Sequence, residues 1–521
     1  MKILKELERS RQFWFVIFII FLFFILRLPS LFEPLWYGDE GIYQVIGTSL
    51  NHGKLLYSQI FDNKPPLLYW LYSIFQSDQF SIRLVSLVFG ALSVIMFFFL
   101  SKKLFKSEKK NNIPYLTTII FAFLFGLPVL EGNIANAENF MLLPIIASAF
   151  LLLNSQKSNP NRSPINPCPP SLRSGAGRRA LSFIPARHRC AQALAGGLNH
   201  YFFAGLILGV AFLFKIVAIF DLAAFLVFCF IINFNSLKKE IKLFSIIIGF
   251  LIPISLVSVL FISNGTFMDF IKAAFISNLS YISYGNKIGS LPFLLLIKSA
   301  LLGGFLFFAL MKRKKINQPT LFVSIWFAFS LFNTYFSQRP YTHYLLVLIP
   351  SLSLMVGAFL FDKKYRKIIV VFFIIVLLTI AKTFGMPNFN KSINYYQNFI
   401  SYVLDEKTMA QYQAFFDRNT PSDYEVARFI KPKLSKNDTI FVWGDNAQLY
   451  QLIGVVAPTK YVVAYHISNY KDGPENTRIA IEKTKPKFIV IIASNNPIPF
   501  SLIGYSSKIN INKATIYERV F

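Results

Sequence analysis

The stretch YFFAGLILGVAFLFKIVAIFDLAAFLVFCFII, residues 201–232, decides how this chain is laid out. It is apolar almost throughout, yet it is too long for one crossing and carries Lys215 near its middle. A bilayer core of about 30 Å needs roughly 20 helical residues, so the block holds material for two short helices. Basic segments flank it, with LKKEIK at 237–242 on its C-terminal side, and loops rich in Lys and Arg stay cytoplasmic. Both ends therefore lie inside, and the block reads as a hairpin with Lys215 near its outer turn. Were it one helix, every later crossing would flip, and KRKK (312–315) and DKKYRK (362–367) would face outward.

The same parity test orders the rest. The basic start MKILKELERSR lies inside, and 13–28 reads as a retained first span. Further spans are expected at 83–100, 115–130, 140–153, 243–262, 291–311, 321–336, 344–361 and 368–384, about eleven crossings in all. The N-terminus is cytoplasmic, and everything after the last span is extracytoplasmic. Trp36 to Pro66 then falls in a first outer loop, 33–82. Within it, LLYWLYSIF is too short to span and reads as an interfacial helix.

With 54% hydrophobic residues and 59 Phe, this is a polytopic α-helical membrane protein. In a soluble protein a net charge of +28 would suggest nucleic acid. Here much of the excess lies in short loops, as orientation requires, and no nucleic-acid partner is expected. Cys168, Cys190 and Cys229 have no metal or disulfide spacing. Residues 159–199 are rich in Arg, Pro, Ala and Ser and read as a disordered cytoplasmic insertion, with a basic arm for anionic lipid as the sharper alternative. The membrane domain covers 1–385. From 386 to 521 the hydrophobicity falls, and a soluble α/β domain is expected. Its strands would be DTIFVWG, KYVVAYH and KFIVIIA, and its helices NAQLYQLIG and NTRIAIEKT.

Under this topology Asp39, Glu40, Asp62, Lys64, Glu138, Lys215, Arg339 and His343 all fall at the outer face. Each has a plain explanation alone. Asp62 reads as a solvated loop acid, Asp39 and Glu40 as caps of a helix starting at Gly41, Glu138 as a cap near Phe140, and His343 and Arg339 as snorkelling groups. Together they are acids and bases from distant segments delivered to one membrane face, where charge is costly unless it is used. Glycosyl transfer from a lipid-linked sugar phosphate needs both kinds. A carboxylate accepts the acceptor's hydroxyl proton, and cations offset the leaving phosphate.

GDEGIYQ, then NKPPLLYWLY and FSIRL, resemble the dolichyl-phosphate-mannose protein mannosyltransferase and aminoarabinose transferase families, which are GT-C-fold glycosyltransferases of the 39/83 kind. NIANAENFMLL, GLILGVAFLFKIVAIF, FIKAAFISNLSYISYG and QRPYTHYLLVLIPSLSL extend the likeness in order through the membrane region. The resemblance implies an inverting transferase that uses polyprenyl-phosphate sugars on the extracytoplasmic face of the plasma membrane, with a protein, lipid or glycan acceptor. It implies Asp39 as the candidate base, Glu40 as its motif partner, Lys64 near the donor phosphate and Glu138 as the second-loop acid. Lys215, Arg339, His343 and Tyr344 become donor-phosphate and lipid-side contacts. A divalent ion held by Asp39 and Glu138 is a candidate cofactor. The aminoarabinose branch reads Asp-Glu-Ala-Arg-Tyr, whereas Gly41 and Ile42 stand here in place of Ala-Arg. The competing readings are a transporter or flippase of lipid-linked sugars, whose polar groups would lie deep in the spans, and an enzyme fold that has lost its activity.

Overall fold

The computed structural model describes residues 2–106, 112–154, 184–234, 239–278, 293–339, 341–362, 366–385, 389–492 and 497–520. Among them, six helices are long and apolar enough to cross a membrane: Arg9–Phe32, Gln79–Leu104, Ala137–Asn154, Glu240–Ser263, Phe293–Lys312 and Thr342–Phe361. Shorter apolar helices run Ile113–Gly126, Asn199–Phe214, Ile216–Ile232 and Phe373–Phe384. With Gln318–Thr334 they place a helix on every expected span. The chain is a multi-pass membrane protein. Of the expected insertion, 159–183 lies outside the described residues. From Ile184 the backbone is helical and runs unbroken to Phe214, so 184–199 does not match the expected disorder.

The decisive block breaks where its charge demands. Lys215 is extended (φ −155°, ψ 130°) between the helix ending at Phe214 and a 3-10 turn, Ile216–Ala218. A lysine inside a continuous apolar helix would face hydrocarbon, and the break brings it to Glu138 instead. The preceding half packs backbone to backbone on Lys239–Ser263, because a Cβ on Gly205 or Gly249 would collide with the carbonyl oxygen of Ile246 or Phe202. The expected span at 115–130 is shorter in fact. Its helix stops at Gly126, a 3-10 turn follows, and Glu131 sits in the left-handed region at φ 59°.

The loop after the first apolar helix, residues 33–82, folds into two helices, Gly38–Asn51 and Leu67–Ile74. They cross closely: a Cβ on Gly47 would lie 2.9 Å from the Ser73 amide nitrogen. The short helix turns Leu68, Tyr69 and Tyr72 inward. After the last apolar helix come Phe389–Val403, Met409–Phe416 and Thr420–Ile430. A four-stranded sheet follows, of β1 (Ile440–Trp443), β2 (Phe488–Ile492), β3 (Tyr505–Ile511) and β4 (Ala514–Arg519), in order β1-β2-β4-β3. Only β1 and β2 run parallel, and β3–β4 is a hairpin. KYVVAYH, expected as a strand, is split: Tyr461, Val462 and Val463 are buried outside the sheet, and Ala464, Tyr465 and His466 already belong to the Ala464–Asn469 helix. It meets the turn just after β1, where the Ala464 amide donates to Gly444 O at 2.9 Å and the Tyr465 amide to Asp445 Oδ1 at 3.1 Å.

Candidate active site

The Gly38–Asn51 helix starts before both acids, with Tyr37 at its N-cap and no side-chain cap bond. Asp39 and Glu40 therefore occupy the first turn and cap nothing. Successive helical residues point about 100° apart, so one acid faces the site and the other the bundle.

Asp39 faces the site, with its side chain 36% exposed. Tyr43, one turn on, donates its hydroxyl to Asp39 Oδ2 at 3.0 Å, and Lys64 Nζ lies 3.6 Å from the same oxygen. Lys64 arrives on the Asp-Asn-Lys-Pro-Pro turn, held by Asp62. Far from being solvated, Asp62 is 1% exposed. It accepts from Tyr69 OH at 2.7 Å, from the Asn63 amide at 2.8 Å and from Lys64 Nζ at 3.4 Å. Burial opposes the charged form of Lys64, but the carboxylates of Asp39 and Asp62, and more weakly Glu138, outweigh it and raise its pKa. Burial likewise works against the Asp39 carboxylate. The charges of Lys64 and His343 and the Tyr43 hydrogen bond overcome it, holding Asp39 below the usual carboxylate range.

A second group adjoins this one. Glu138, at the start of the Ala137–Asn154 helix, takes the Lys215 ammonium. Lys215 Nζ also sits 4.7 Å above the Tyr344 ring. His343 bridges two acids, with Nδ1 3.1 Å from Glu131 Oε2 and Nε2 3.8 Å from Glu138 Oε1. Glu131 also accepts from Tyr37 OH at 2.5 Å and from the Thr342 hydroxyl. Burial would raise the Glu131 pKa, and the His343, Thr342 and Tyr37 hydrogen bonds lower it instead. Since Tyr37 immediately precedes the Asp39 helix, it ties the two groups together. Sequence reasoning missed Glu131; the signal was the first acid of EGNIANAEN, directly before Gly132.

Glu40 does not join them. Arg83 donates to both its oxygens, Nε to Oε1 at 3.1 Å and Nη2 to Oε2 at 2.5 Å, and the Ala135 amide adds a bond at 2.8 Å. The other face of Arg83 meets Glu33 at 2.8 Å. Glu33 in turn accepts from Trp36, Asn133 and Tyr395. This is a fully paired buried knot beneath the site. Arg339 lies half-buried on the segment before the Thr342–Leu348 turn. The arrangement fits a divalent ion poorly. Asp39 and Glu138 each face a lysine, and among the described residues no group of three or more His, Cys, Asp or Glu could hold a metal.

The fold has solved counterparts. The chain resembles ArnT from Cupriavidus metallidurans in the apo state, with a TM-score of 0.55 at 12% identity over 98% of both chains. ArnT bound to undecaprenyl phosphate gives 0.53 at 12% identity, over 96% of this chain and 97% of that one. No family model matches the chain, and no curated protein does. The chain has the GT-C fold with a small C-terminal sheet.

Proposed function

We propose that this GT-C chain is a membrane glycosyltransferase that moves a sugar from a polyprenyl-phosphate donor onto an acceptor hydroxyl. The observation that carries this reading is Asp39: a partly open carboxylate 3.6 Å from a lysine, in a site whose other acids are buried or paired. That ArnT binds undecaprenyl phosphate on the same fold supports a lipid phosphate as ligand.

The acceptor hydroxyl attacks the anomeric carbon while Asp39 takes its proton. The bond from that carbon to the phosphate oxygen breaks, and its electron pair leaves with the polyprenyl phosphate. One displacement inverts the anomeric centre. The leaving group is already a stable anion and needs no proton, so Lys64 and Lys215 serve by offsetting its charge. Glu138 holds Lys215, Glu131 orients His343, and Tyr344 carries the Lys215 ammonium over its ring. Arg339 is assigned to the lipid side. No step is routed through a metal ion.

The test offers wild-type membranes a panel of labelled polyprenyl-phosphate sugars. Transfer from at least one is expected, and lipid-linked sugar that crosses the bilayer unchanged would instead mark a transporter. The proposed sidedness puts the site and the C-terminal domain outside the plasma membrane and the N-terminus inside. With Cys168 and Cys190 changed to Ser, a membrane-impermeant thiol reagent on intact cells is expected to label Lys513→Cys and to spare Lys314→Cys. The reverse pattern overturns the topology.

A further inference from the structure

The C-terminal domain grips the first outer loop at several points. The Phe61 amide donates to Lys460 O at 3.0 Å, Lys54 Nζ to Ala457 O at 2.5 Å, and Gln451 Nε2 to Ser77 O at 3.3 Å. The approach is closest on the helix that carries Asp39, where a Cβ on Gly41 would lie 2.8 Å from the Gln448 amide nitrogen. The Phe61 ring is boxed by Tyr461 at 5.0 Å, Tyr470 at 4.6 Å and His466 at 5.6 Å between centroids. This docking carries His466, 4% exposed, to the back of the Lys64 turn. Its Nε2 lies 3.8 Å from Asp62 Oδ1, and its Nδ1 is buried with no partner among the described residues.

We propose that His466 is a positioning residue supplied by the C-terminal domain, which steadies Asp62 and through it sets Lys64 against the donor phosphate. The inference rests on the reading of Lys64 as the phosphate-offsetting cation. Asp62 is the hinge, since its Oδ2 takes Tyr69 and Lys64 while its Oδ1 faces His466. With Nδ1 lacking an acceptor, the tautomer with hydrogen on Nε2 leaves the smaller unsatisfied debt and aims its donor at Asp62. Burial lowers the His466 pKa against the pull of Asp62, in keeping with a neutral donor. At 3.8 Å the pair is beyond hydrogen-bond length, and a shift of less than about 1 Å closes it. The site is thus complete only when the C-terminal domain is seated.

Two variants of the full-length protein separate positioning from packing. His466→Phe keeps a ring beside Phe61 and Tyr470 but loses the donor; His466→Asn loses the ring and keeps a donor. With a donor sugar that the wild type uses, His466→Phe is expected to raise the donor KM by about three- to tenfold, the range one hydrogen bond supports, with kcat nearly unchanged. His466→Asn should stay nearer to wild type. Combining His466→Phe with Asp62→Asn should add little to Asp62→Asn alone, because both act through one contact. The opposite ranking of Phe and Asn, multiplying effects, or loss of folded protein in the Asn variant alone would place the role in packing and overturn the proposal. A wild type that transfers from no polyprenyl-phosphate sugar defeats the glycosyltransferase reading itself, which is a separate result.

Discussion

Asp39→Asn is expected to lower sugar transfer at least about a hundredfold while the protein still folds, because general-base loss costs roughly 10²–10⁴ in rate. Asparagine keeps the shape and an oxygen for the Tyr43 hydroxyl. What it loses is the proposed proton acceptor and one of two carboxylates beside Lys64, which retains Asp62 at 3.4 Å. An ion pair with one side chain 36% exposed is screened by solvent and adds little to stability. Activity and stability should therefore separate, as rate per folded molecule against the unfolding temperature. Full activity in the variant removes Asp39 from the mechanism.

The pH dependence follows from the lowered Asp39 pKa. A carboxylate held below its usual range is ionised throughout the neutral region. Its contribution is complete above the ordinary value of about 3.9 and is lost only as pH falls through the lowered one. Asp39 thus gives the rate profile no acid limb between about pH 5 and 8. A carboxylate of low basicity suffices where the leaving group departs as a stable anion.

The spans were legible because hydrocarbon imposes a length and forbids stray charge, and the break at Lys215 follows from the same constraint. Partners across long sequence separation were not. Lys215 finds Glu138 and His343 finds Glu131 only through packing that no local pattern records. Asp62 looked solvated because Asp-Asn-Lys-Pro-Pro is the composition of an exposed turn. It is buried because Tyr69 and Lys64 take one of its oxygens while His466, from the docked 460–470 segment, lies 3.8 Å from the other, and that docking also explains the strand expected there. KYVVAYH is apolar because it docks on the 33–82 loop, with Lys460 O taking the Phe61 amide, and an apolar run reads alike for either burial. Adjacency in sequence pairs Glu40 with Asp39, whereas helical rotation sends adjacent side chains to different surroundings.

That rotation makes Arg83 the largest stability prediction. Arg83→Met leaves Glu33 and Glu40, 0% and 5% exposed, without the cation that joins them, while the buried Arg27 still acts on Glu33. Removing one partner from a buried ion cluster costs about 3–5 kcal/mol. Glu40→Gln removes a charge but leaves Arg83 paired with Glu33, so its cost should be nearer the roughly 1–3 kcal/mol of an imperfectly satisfied buried group. Its transfer rate per folded molecule should stay close to wild type, setting Glu40 apart from its neighbour Asp39. The sharper result is the double variant. If uncompensated negative charge is what destabilises Arg83→Met, then adding Glu40→Gln removes half of it, and the double variant should unfold at a higher temperature than Arg83→Met alone. Thermal unfolding in detergent, compared at one scan rate because such unfolding is often irreversible, gives the ranking. A double variant less stable than Arg83→Met would mean that Glu40 contributes through its packing and amide contact, not through charge.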